Sequence, residues 1–463
     1  MRHPLIELPA RNPQPYVQAS GLIMYKQKGA RRMRKPGKWF FVISLLLLIT
    51  GGSHADLLSY LQKPDNSFKW NLEKSSKQTD GSKIYEFHMT SQTWEGIAWQ
   101  HRIALFIPAN DIYPNSCTLL ITGGNMGIEE TIIGQAVAKA TGAPLAILFN
   151  IPNQPLFDGK NEDALIAYTF EQYLKTGDDN WPLLFPMTKS AIRAMDVLQD
   201  YSKQHMSKQF SRFIIAGASK RGWTTWLTGA SGDKRICGIM PMVIDNLNMA
   251  AQMPHQLEAW GHYSAMIEDY TRLGIQQQMT SERGKQLVKL VDPWTYRRML
   301  TMPKLIINGT NDPYWTQDAL NLYWNGLPEP KWVLYIANSG HGLDNKELLV
   351  RAAIAFVKSI FSGKTPEQPI WTWTKTDNGA KLEITAKSAT GAAWLWSTSA
   401  PNQDFRKSRW ESAPMAGENG KYSITIPNPA SGYEAAYGMV ELKVGDKTLP
   451  VTTQIQILGN AAK

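Results

Sequence analysis

Short apolar runs bounded by turn residues recur through the middle of the chain, and stretches of helical periodicity separate them. The apolar runs predict strands at 118–124, 143–150, 213–217, 236–244, 305–308 and 332–336, preceded by one alternating strand at 99–108. The clearest helical spacers cover 131–141, 189–201 and 346–361. Nearly continuous Ile, Leu and Val strands that alternate with helices are typical of a mostly parallel sheet covered by helices on both faces. The pattern therefore predicts an α/β fold.

One segment interrupts this alternation. Residues 246–300 separate two predicted strands by far more than a simple crossover needs, and they are rich in Met, Trp, Tyr and Gln. We expect a helical insertion there, lying over the carboxyl edge of the sheet, where open α/β sheets place their sites.

The pattern changes again towards the C-terminus. Residues 370–458 alternate in hydrophobicity, and hairpin turns are predicted at 377–379, 418–420 and 445–447. Such short, closely spaced strands predict a small β-sandwich. We expect Trp394 and Trp396, which share one strand face, to fill its core rather than form a carbohydrate-binding platform. The chain then divides into an α/β domain at 56–365 and a sandwich domain at 366–463.

The basic residues are concentrated at the N-terminus. The whole chain has 49 Lys and Arg against 39 Asp and Glu, a formal net charge of +10. Residues 1–55 hold nine of the basic residues and one acidic residue, which leaves 40 basic against 38 acidic residues elsewhere. A nucleic-acid-binding protein needs a basic surface to meet the phosphates. The nearly neutral remainder therefore argues against a nucleic-acid partner.

A secretory signal peptide accounts for the basic segment. Residues 39–50 form an apolar run that is too short to span a bilayer, which takes about 20 residues. Basic residues precede the run and small residues follow it, which predicts cleavage after Ala55 and export of a chain that begins at Asp56. We expect translation to start at Met24 or Met33 and no stable transmembrane segment to remain after cleavage. An uncleaved membrane anchor is the alternative.

The strand at 213–217 runs through a tight turn at Ser219 into a helical pattern. This is the context of a nucleophile elbow, which presents the Ser Oγ above the sheet. Gly217 supplies the small residue that the elbow needs two positions before the serine. The usual pattern has a second small residue two positions after it, where this chain has Arg221, with Gly222 one place later. The alternative is that Ser219 caps an ordinary helix.

Two further polar residues follow predicted strands. Asp312 comes after the strand at 305–308, and His341 comes after the strand at 332–336. A serine nucleophile needs an imidazole to take its proton, and the imidazole needs a carboxylate to fix its tautomer. The order Ser219, Asp312, His341 is that of the α/β-hydrolase fold. Asp245, at the end of another strand, is the alternative acid.

An oxyanion hole is expected from two backbone amides. One is the N–H of Lys220, the residue after the nucleophile, and the other belongs to the glycine-rich loop at 123–127. Within that loop we choose Asn125, with Met126 as the alternative donor. No Gly-Lys-Ser/Thr follows the loop, and no His-Glu-x-x-His or Cys-x-x-Cys motif occurs, so we expect neither a metal nor a cofactor.

Several motifs together resemble those of the PhoPQ-activated pathogenicity-related protein family. The motifs are Gly-Ala-Ser-Lys-Arg-Gly-Trp at 217–223, Thr-Gly-Gly-Asn at 122–125, Trp-Glu-Gly-Ile-Ala-Trp-Gln-His at 94–101, Asn-Asp-Pro at 311–313 and Gly-His-Gly at 340–342. The resemblance implies an exported α/β-hydrolase-like protein whose expression responds to the PhoP/PhoQ sensor system of Gram-negative bacteria. It further implies a part in virulence or in resistance to cationic host peptides, and it names no substrate.

A more distant similarity is to glucuronoyl esterases, whose elbow also places a basic residue directly after the serine. By that similarity the Lys220 side chain would help to hold developing negative charge, although an ammonium suits this task less well than a guanidinium. In the α/β-hydrolase fold the strands of Cys117 and Cys237 are separated by the nucleophile strand. Two strand spacings are about 9–10 Å, beyond the roughly 7 Å that a disulfide allows between Cα atoms, so we expect two free, buried cysteines.

The sequence thus predicts an exported serine hydrolase, periplasmic or secreted, that cleaves an ester or a peptide bond of a small-molecule or peptide substrate. A catalytically silent hydrolase-fold protein that binds ligands in the periplasm or at the cell surface is the alternative. The oligomeric state stays open. We expect aromatic residues of the insertion either to shape the substrate pocket or to pack as a lid, namely Trp260, His262, Tyr263, Trp294 and Tyr296.

Overall fold

The computed structural model describes residues 56–459. The strands are β1 (Lys69–Lys77), β2 (Lys83–Trp94), β3 (Ile97–Ile107), β4 (Ser116–Ile121), β5 (Leu145–Leu148), β6 (Arg212–Ala218), β7 (Ile236–Met242), β8 (Lys304–Gly309), β9 (Lys331–Ile336), β10 (Ile370–Thr376), β11 (Gly379–Thr385), β12 (Trp394–Ala400), β13 (Glu411–Pro414), β14 (Ala416–Glu418), β15 (Lys421–Pro427), β16 (Tyr433–Val444), β17 (Lys447–Thr452) and β18 (Gln456–Gly459). The α-helices are α1 (Leu57–Gln62), α2 (Ile128–Thr141), α3 (Glu162–Thr176), α4 (Leu184–His205), α5 (Lys220–Gly229), α6 (Met249–Trp260), α7 (Glu268–Arg272), α8 (Ile275–Gln278), α9 (Glu282–Val291) and α10 (Lys346–Phe361). The predicted signal peptide lies outside the described residues.

The central sheet has the order β1-β2-β3-β5-β4-β6-β7-β8-β9. Strands β4 to β9 run parallel, whereas β1, β2 and β3 add an antiparallel extension at the β5 edge. Strands β5, β8 and β9 are buried at every position, as expected of strands covered on both faces. The inverted order of β4 and β5 ahead of the nucleophile strand gives the α/β-hydrolase fold, so the predicted fold class is confirmed.

Helices cover both faces of this sheet. Helix α10 packs with α2 and against β7, and α5 packs with α4 and against β6 and β7. Between β7 and β8 the chain forms α6 to α9 and two 3-10 helices, Ala265–Ile267 and Pro293–Met299. The predicted helical insertion is therefore present, and its α7 and α9 contact α3. No helix within residues 56–459 combines the length and the apolar character needed to cross a bilayer.

The C-terminal part contains strands β10 to β18 and no helix within residues 370–459. One sheet has the order β10-β11-β15-β14, and the other, β17-β16-β12-β13, continues the central sheet from β9 through the pair Thr452 and Val333. The two layers face each other, because a Cβ on Gly438 in β16 would lie 2.5 Å from Ile384 Cδ1 in β11. This is the predicted sandwich, although its larger sheet is not separate from the central one. The division into two domains stays a prediction.

Two expectations about single side chains are wrong. Trp394 is 43% exposed and does not fill the sandwich core, because the residue of β12 that points inward is the buried Leu395. Both cysteines are free, as expected from the strand order β4-β6-β7. Cys117 is buried, but Cys237 is only partly so.

Candidate active site

Ser219 occupies the turn between β6 and α5 with φ 57° and ψ −126°, a backbone conformation that few residues other than glycine adopt. Its N–H donates to the Met242 carbonyl at 2.9 Å, which fixes the turn to the end of β7. A Cβ on Gly217 would lie 2.5 Å from the Arg221 carbonyl oxygen. The strand and helix therefore approach each other as a nucleophile elbow requires.

The second close approach of the elbow falls at Gly222 and not at Arg221. A Cβ on Gly222 would lie 2.6 Å from Ile244 Cγ2 and 2.9 Å from the Met242 carbonyl oxygen. The requirement for a small residue is therefore met one position later than in the usual pattern. Ser219 stands at the N-cap of α5, but its side chain makes no capping hydrogen bond. The helix-capping alternative for this serine is not what the structure shows.

The Ser219 side chain instead faces the imidazole of His341. The Ser219 Oγ lies 2.9 Å from His341 Nε2, and His341 Nδ1 lies 2.8 Å from Asp312 Oδ2. Asp312 Oδ1 also accepts the N–H of Tyr314 at 2.9 Å, which holds the carboxylate in place. A carboxylate at Nδ1 keeps the proton there and leaves Nε2 free to accept the serine proton. The structure therefore brings together the three residues that the strand ends predict.

Asp245, the alternative acid, is held elsewhere. It follows β7 and is buried, and its Oδ1 accepts a hydrogen bond from the Tyr323 hydroxyl. Burial raises its pKa to about 7, and the nearby charge of Asp312 adds to the rise. The carboxylate at hydrogen-bond distance from His341 is that of Asp312.

The two predicted oxyanion donors lie in different settings. Lys220 is the first residue of α5, where amides have no partner inside the helix, and it lines a cavity together with Ser219. Asn125 lies in the loop between β4 and α2 and is exposed. It is not among the described residues that line the cavity. The assignment of Asn125 stays a prediction.

A group of charged residues beside the elbow gave no signal in the sequence. Both terminal nitrogens of Arg221 donate to the carboxylate of Glu162, at 2.6 and 2.5 Å, and its Nε donates to the Ile151 carbonyl. Burial alone would raise the pKa of Glu162, but hydrogen bonds from Arg221 and its positive charge lower that pKa to about 2. A Cβ on Gly123 would overlap the Arg221 guanidinium at 1.7 Å. The guanidinium therefore joins α3 and the loops after β4 and β5 to the elbow.

Asp163, next to Glu162, is the centre of a second set of contacts. Lys220 Nζ lies 2.7 Å from Asp163 Oδ2, and the Tyr270 hydroxyl donates to Asp163 Oδ1 at 3.0 Å. The ring of Tyr314 stacks on the imidazole of His341 with centroids 4.2 Å apart, and its hydroxyl lies 3.4 Å from Asp163 Oδ2. The Lys220 ammonium is thus already paired with a carboxylate.

A cavity of about 80 Å³ lies beside Ser219 and His341. The helical insertion supplies much of its wall through aliphatic side chains and methionines, including Met249, Met253, Ile275, Met279, Leu287 and Val288. The five aromatic or histidine residues that were expected to shape the pocket are not among the described residues of this wall. The Arg406 guanidinium covers Trp260, a Cβ on Gly326 would meet Trp294, and His262 is exposed. The residues described contain no group of three or more His, Cys, Asp or Glu side chains that could hold a metal ion.

Comparison with known proteins gives a match to a family model. Residues 57–406 match the model described as PhoPQ-activated pathogenicity-related protein, in agreement with the resemblance of the motifs. A relative, autocrine proliferation repressor protein A from Dictyostelium discoideum, is 29% identical over 470 aligned positions, which cover 90% of this chain and 93% of that protein.

Similar solved structures include two kinds of esterase. An acetyl xylan esterase from Paenibacillus sp. R4 has a TM-score of 0.47 at 14% identity, covering 65% of this chain and 90% of that one. A glucuronoyl esterase from Solibacter usitatus has a TM-score of 0.38 at 11% identity, covering 64% of this chain and 87% of that one.

Proposed function

The chain belongs to the PhoPQ-activated pathogenicity-related protein family, and from that premise we propose that it is an exported serine hydrolase that cleaves an ester or an amide through an acyl-enzyme. The observation that carries the proposal is the chain of hydrogen bonds from Ser219 through His341 to Asp312. Ser219 stands on the strained elbow after β6, and Asp312 and His341 follow β8 and β9. Nucleophile, base and orienting acid in this geometry constitute the machinery of acyl transfer.

In the proposed reaction Ser219 Oγ attacks the substrate carbonyl while His341 Nε2 takes the hydroxyl proton. The backbone amides of Lys220 and Asn125 stabilise the oxyanion of the tetrahedral intermediate. As the bond to the leaving group breaks, His341 gives the proton to that group. Water then attacks the Ser219 ester, one of its protons passes to His341 and on to Ser219 Oγ, and the acid is released. Asp312 stabilises the imidazolium in both steps.

Fluorophosphonate labelling tests the proposal, because this reagent reacts only with an activated serine. The full chain is expressed and exported, and the purified protein is compared with its S219A and H341A variants. We expect labelling of the wild type and none of either variant. The absence of labelling in a folded wild-type protein would refute the proposal. Mass spectrometry of the same preparation tests export, since the mature chain is expected to begin at Asp56.

A second candidate function is a catalytically silent protein that acts by binding a ligand outside the cytoplasm. The similarity over nearly the whole chain to a relative named as a repressor of proliferation favours it, because that name describes signalling and not hydrolysis. The complete set of Ser219, His341 and Asp312 contacts speaks against it. A folded wild type that resists fluorophosphonate would favour this second candidate.

A further inference from the structure

We propose that the cavity beside Ser219 binds an uncharged aliphatic acyl group, so that the substrate is an ester or amide of an apolar acid. The inference rests on the proposed function and names the substrate class of the same site. It comes from three features of the cavity: the composition of its wall, the pairing of its charged residues and its position relative to His341.

The wall of the cavity beside Ser219 is largely apolar. Ten aliphatic or methionine side chains line it, together with five aromatic ones, namely Phe170, Trp223, Tyr270, Tyr314 and Trp315. Helix α6 contributes Met249 and Met253, and α9 contributes Leu287 and Val288. Burial of such surface against a ligand is favourable only when the ligand is itself apolar, at about 0.8 kcal/mol for each CH₂ group. Methionine adapts its shape to ligands of different outline, so a flexible hydrocarbon chain suits this wall.

The charged residues at the cavity are already paired within the protein. Lys220 Nζ lies 2.7 Å from Asp163 and 3.4 Å from Glu162, so two carboxylates surround one ammonium. Both oxygens of Asp163 are occupied, one by the Tyr270 hydroxyl and the other by Lys220. An acyl group with its own carboxylate would meet no free cation in the described part of this wall. Such a group would lose hydration without compensation.

The position of His341 indicates which part of the substrate enters the cavity. The leaving group must reach His341 Nε2 to receive its proton and must then depart. The His341 side chain is 26% exposed, whereas the insertion covers the apolar side of Ser219. The leaving group therefore departs on the exposed side. The acyl group, which stays bonded to Ser219 Oγ in the intermediate, occupies the covered cavity.

The first experiment measures hydrolysis of p-nitrophenyl acetate, butyrate and hexanoate, together with the p-nitrophenyl hemisuccinate that matches butyrate in length but carries a carboxylate. We expect kcat/KM to rise about four-fold with each added CH₂ until the cavity is filled. The hemisuccinate also cyclises without enzyme to succinic anhydride with release of p-nitrophenolate, and this rate is measured separately and subtracted. We expect the enzyme-catalysed reaction of the hemisuccinate to be roughly 100-fold slower than that of the butyrate. A flat series, or a hemisuccinate that reacts as fast as the butyrate, would overturn the proposal.

The second experiment compares the isomers ethyl hexanoate and hexyl acetate, which place the same hydrocarbon chain on opposite sides of the ester. Ethyl hexanoate is expected to be the better substrate, and a preference for hexyl acetate would refute the acyl assignment. The variant V288F, which narrows the cavity, should lower the ratio of hexanoate to acetate kcat/KM by about ten-fold, the equivalent of roughly two lost CH₂ contacts. V350F makes the same change on the exposed face of α10 and should leave the ratio unchanged.

Labelling separates the two ways in which the proposal can fail. Ethyl fluorophosphonate carries a short chain and reports an activated serine whatever the cavity binds. If the wild type is labelled but shows no chain-length preference, the aliphatic site is refuted and the proposed hydrolase activity is not. The same holds if V288F and V350F have equal ratios of hexanoate to acetate kcat/KM. A folded wild type that is not labelled would refute both.

Discussion

The pair formed by Glu162 and Arg221 supports the elbow, and the variant E162Q tests how much. The substitution keeps the size of the side chain but removes the charge that both Arg221 terminal nitrogens contact. The pKa of Glu162 falls from its ordinary 4.5 to about 2 because, although burial opposes it, the hydrogen bonds and charge of Arg221 prevail. Taken at face value that difference is roughly 3 kcal/mol. Glu162 is 39% exposed, and screening by solvent reduces the figure to about 1–2 kcal/mol.

The sign of the pH dependence follows from the direction of this pKa change. Because the folded-state pKa lies below the unfolded one, the contribution to stability is present above about pH 4.5 and is lost as the pH falls through about 2. At pH 7 the free energy of unfolding of E162Q should therefore be about 1–2 kcal/mol below that of the wild type. The difference should shrink steadily between pH 5 and the lowest pH at which the fold persists.

Urea unfolding followed by tryptophan fluorescence, at constant ionic strength and at pH 7, 5, 4 and 3, measures this difference. The matched control is E383Q, which removes the carboxylate from a pair with Lys381 whose side chains are 52% and 41% exposed. Exposed pairs contribute little, so the control should stay close to the wild type at every pH. Equal losses in E162Q and E383Q, or a loss in E162Q that is the same at pH 7 and pH 3, would refute the reasoning.

Three further predictions concern single residues. D312N should lower kcat on an activated ester by roughly 10³–10⁴-fold, because an amide favours the wrong tautomer of the imidazole. D245N should change kcat by less than about ten-fold, because burial already raises the pKa of that acid to about 7. Equal losses of kcat in the two variants would contradict this. Gly222→Ala should destabilise the protein by roughly 1–3 kcal/mol in thermal unfolding, since its Cβ would lie 2.9 Å from a backbone oxygen at the end of β7. In the native protein a thiol reagent should add once, at Cys237, because Cys117 is fully buried whereas Cys237 is partly exposed. Two adducts by mass spectrometry would be the contrary result.

The parallel strands and the residues that follow them were predictable because burial on both faces leaves a local pattern. Strands β8 and β9 are buried at every position, and most of each appears in the sequence as an apolar run, at 305–307 and 332–336. Asp312 and His341 follow within five residues of the ends of these strands. Their meeting with Ser219 follows from the parallel direction of the strands, whose carboxyl ends share one edge of the sheet.

Strand β1, at the outer edge of the antiparallel extension, and the support of the elbow left no such pattern. Strand β1 has no fully buried residue, so hydrophobicity does not mark it. Glu162 and Arg221 are 59 positions apart, and an ion pair over that distance has no periodicity in sequence. The cavity wall was misjudged for a related reason. The sequence analysis selected aromatic residues of the insertion, but the insertion lines the cavity mainly with methionines and aliphatic residues, and the aromatic part of the wall comes mostly from other elements.

The departure of this elbow from the usual pattern does not weaken the case for catalysis. The pattern requires small residues where strand and helix nearly touch, and in this chain those points are Gly217 and Gly222. Arg221 lies between them and places its guanidinium in the space that Gly123 leaves open. There it is bound by Glu162. The arginine and the glycine of the β4 loop are thus two parts of one packing arrangement that holds Lys220 and Ser219 in place. An arginine that stabilises the elbow through Glu162 and the β4 loop is compatible with Ser219 as the nucleophile.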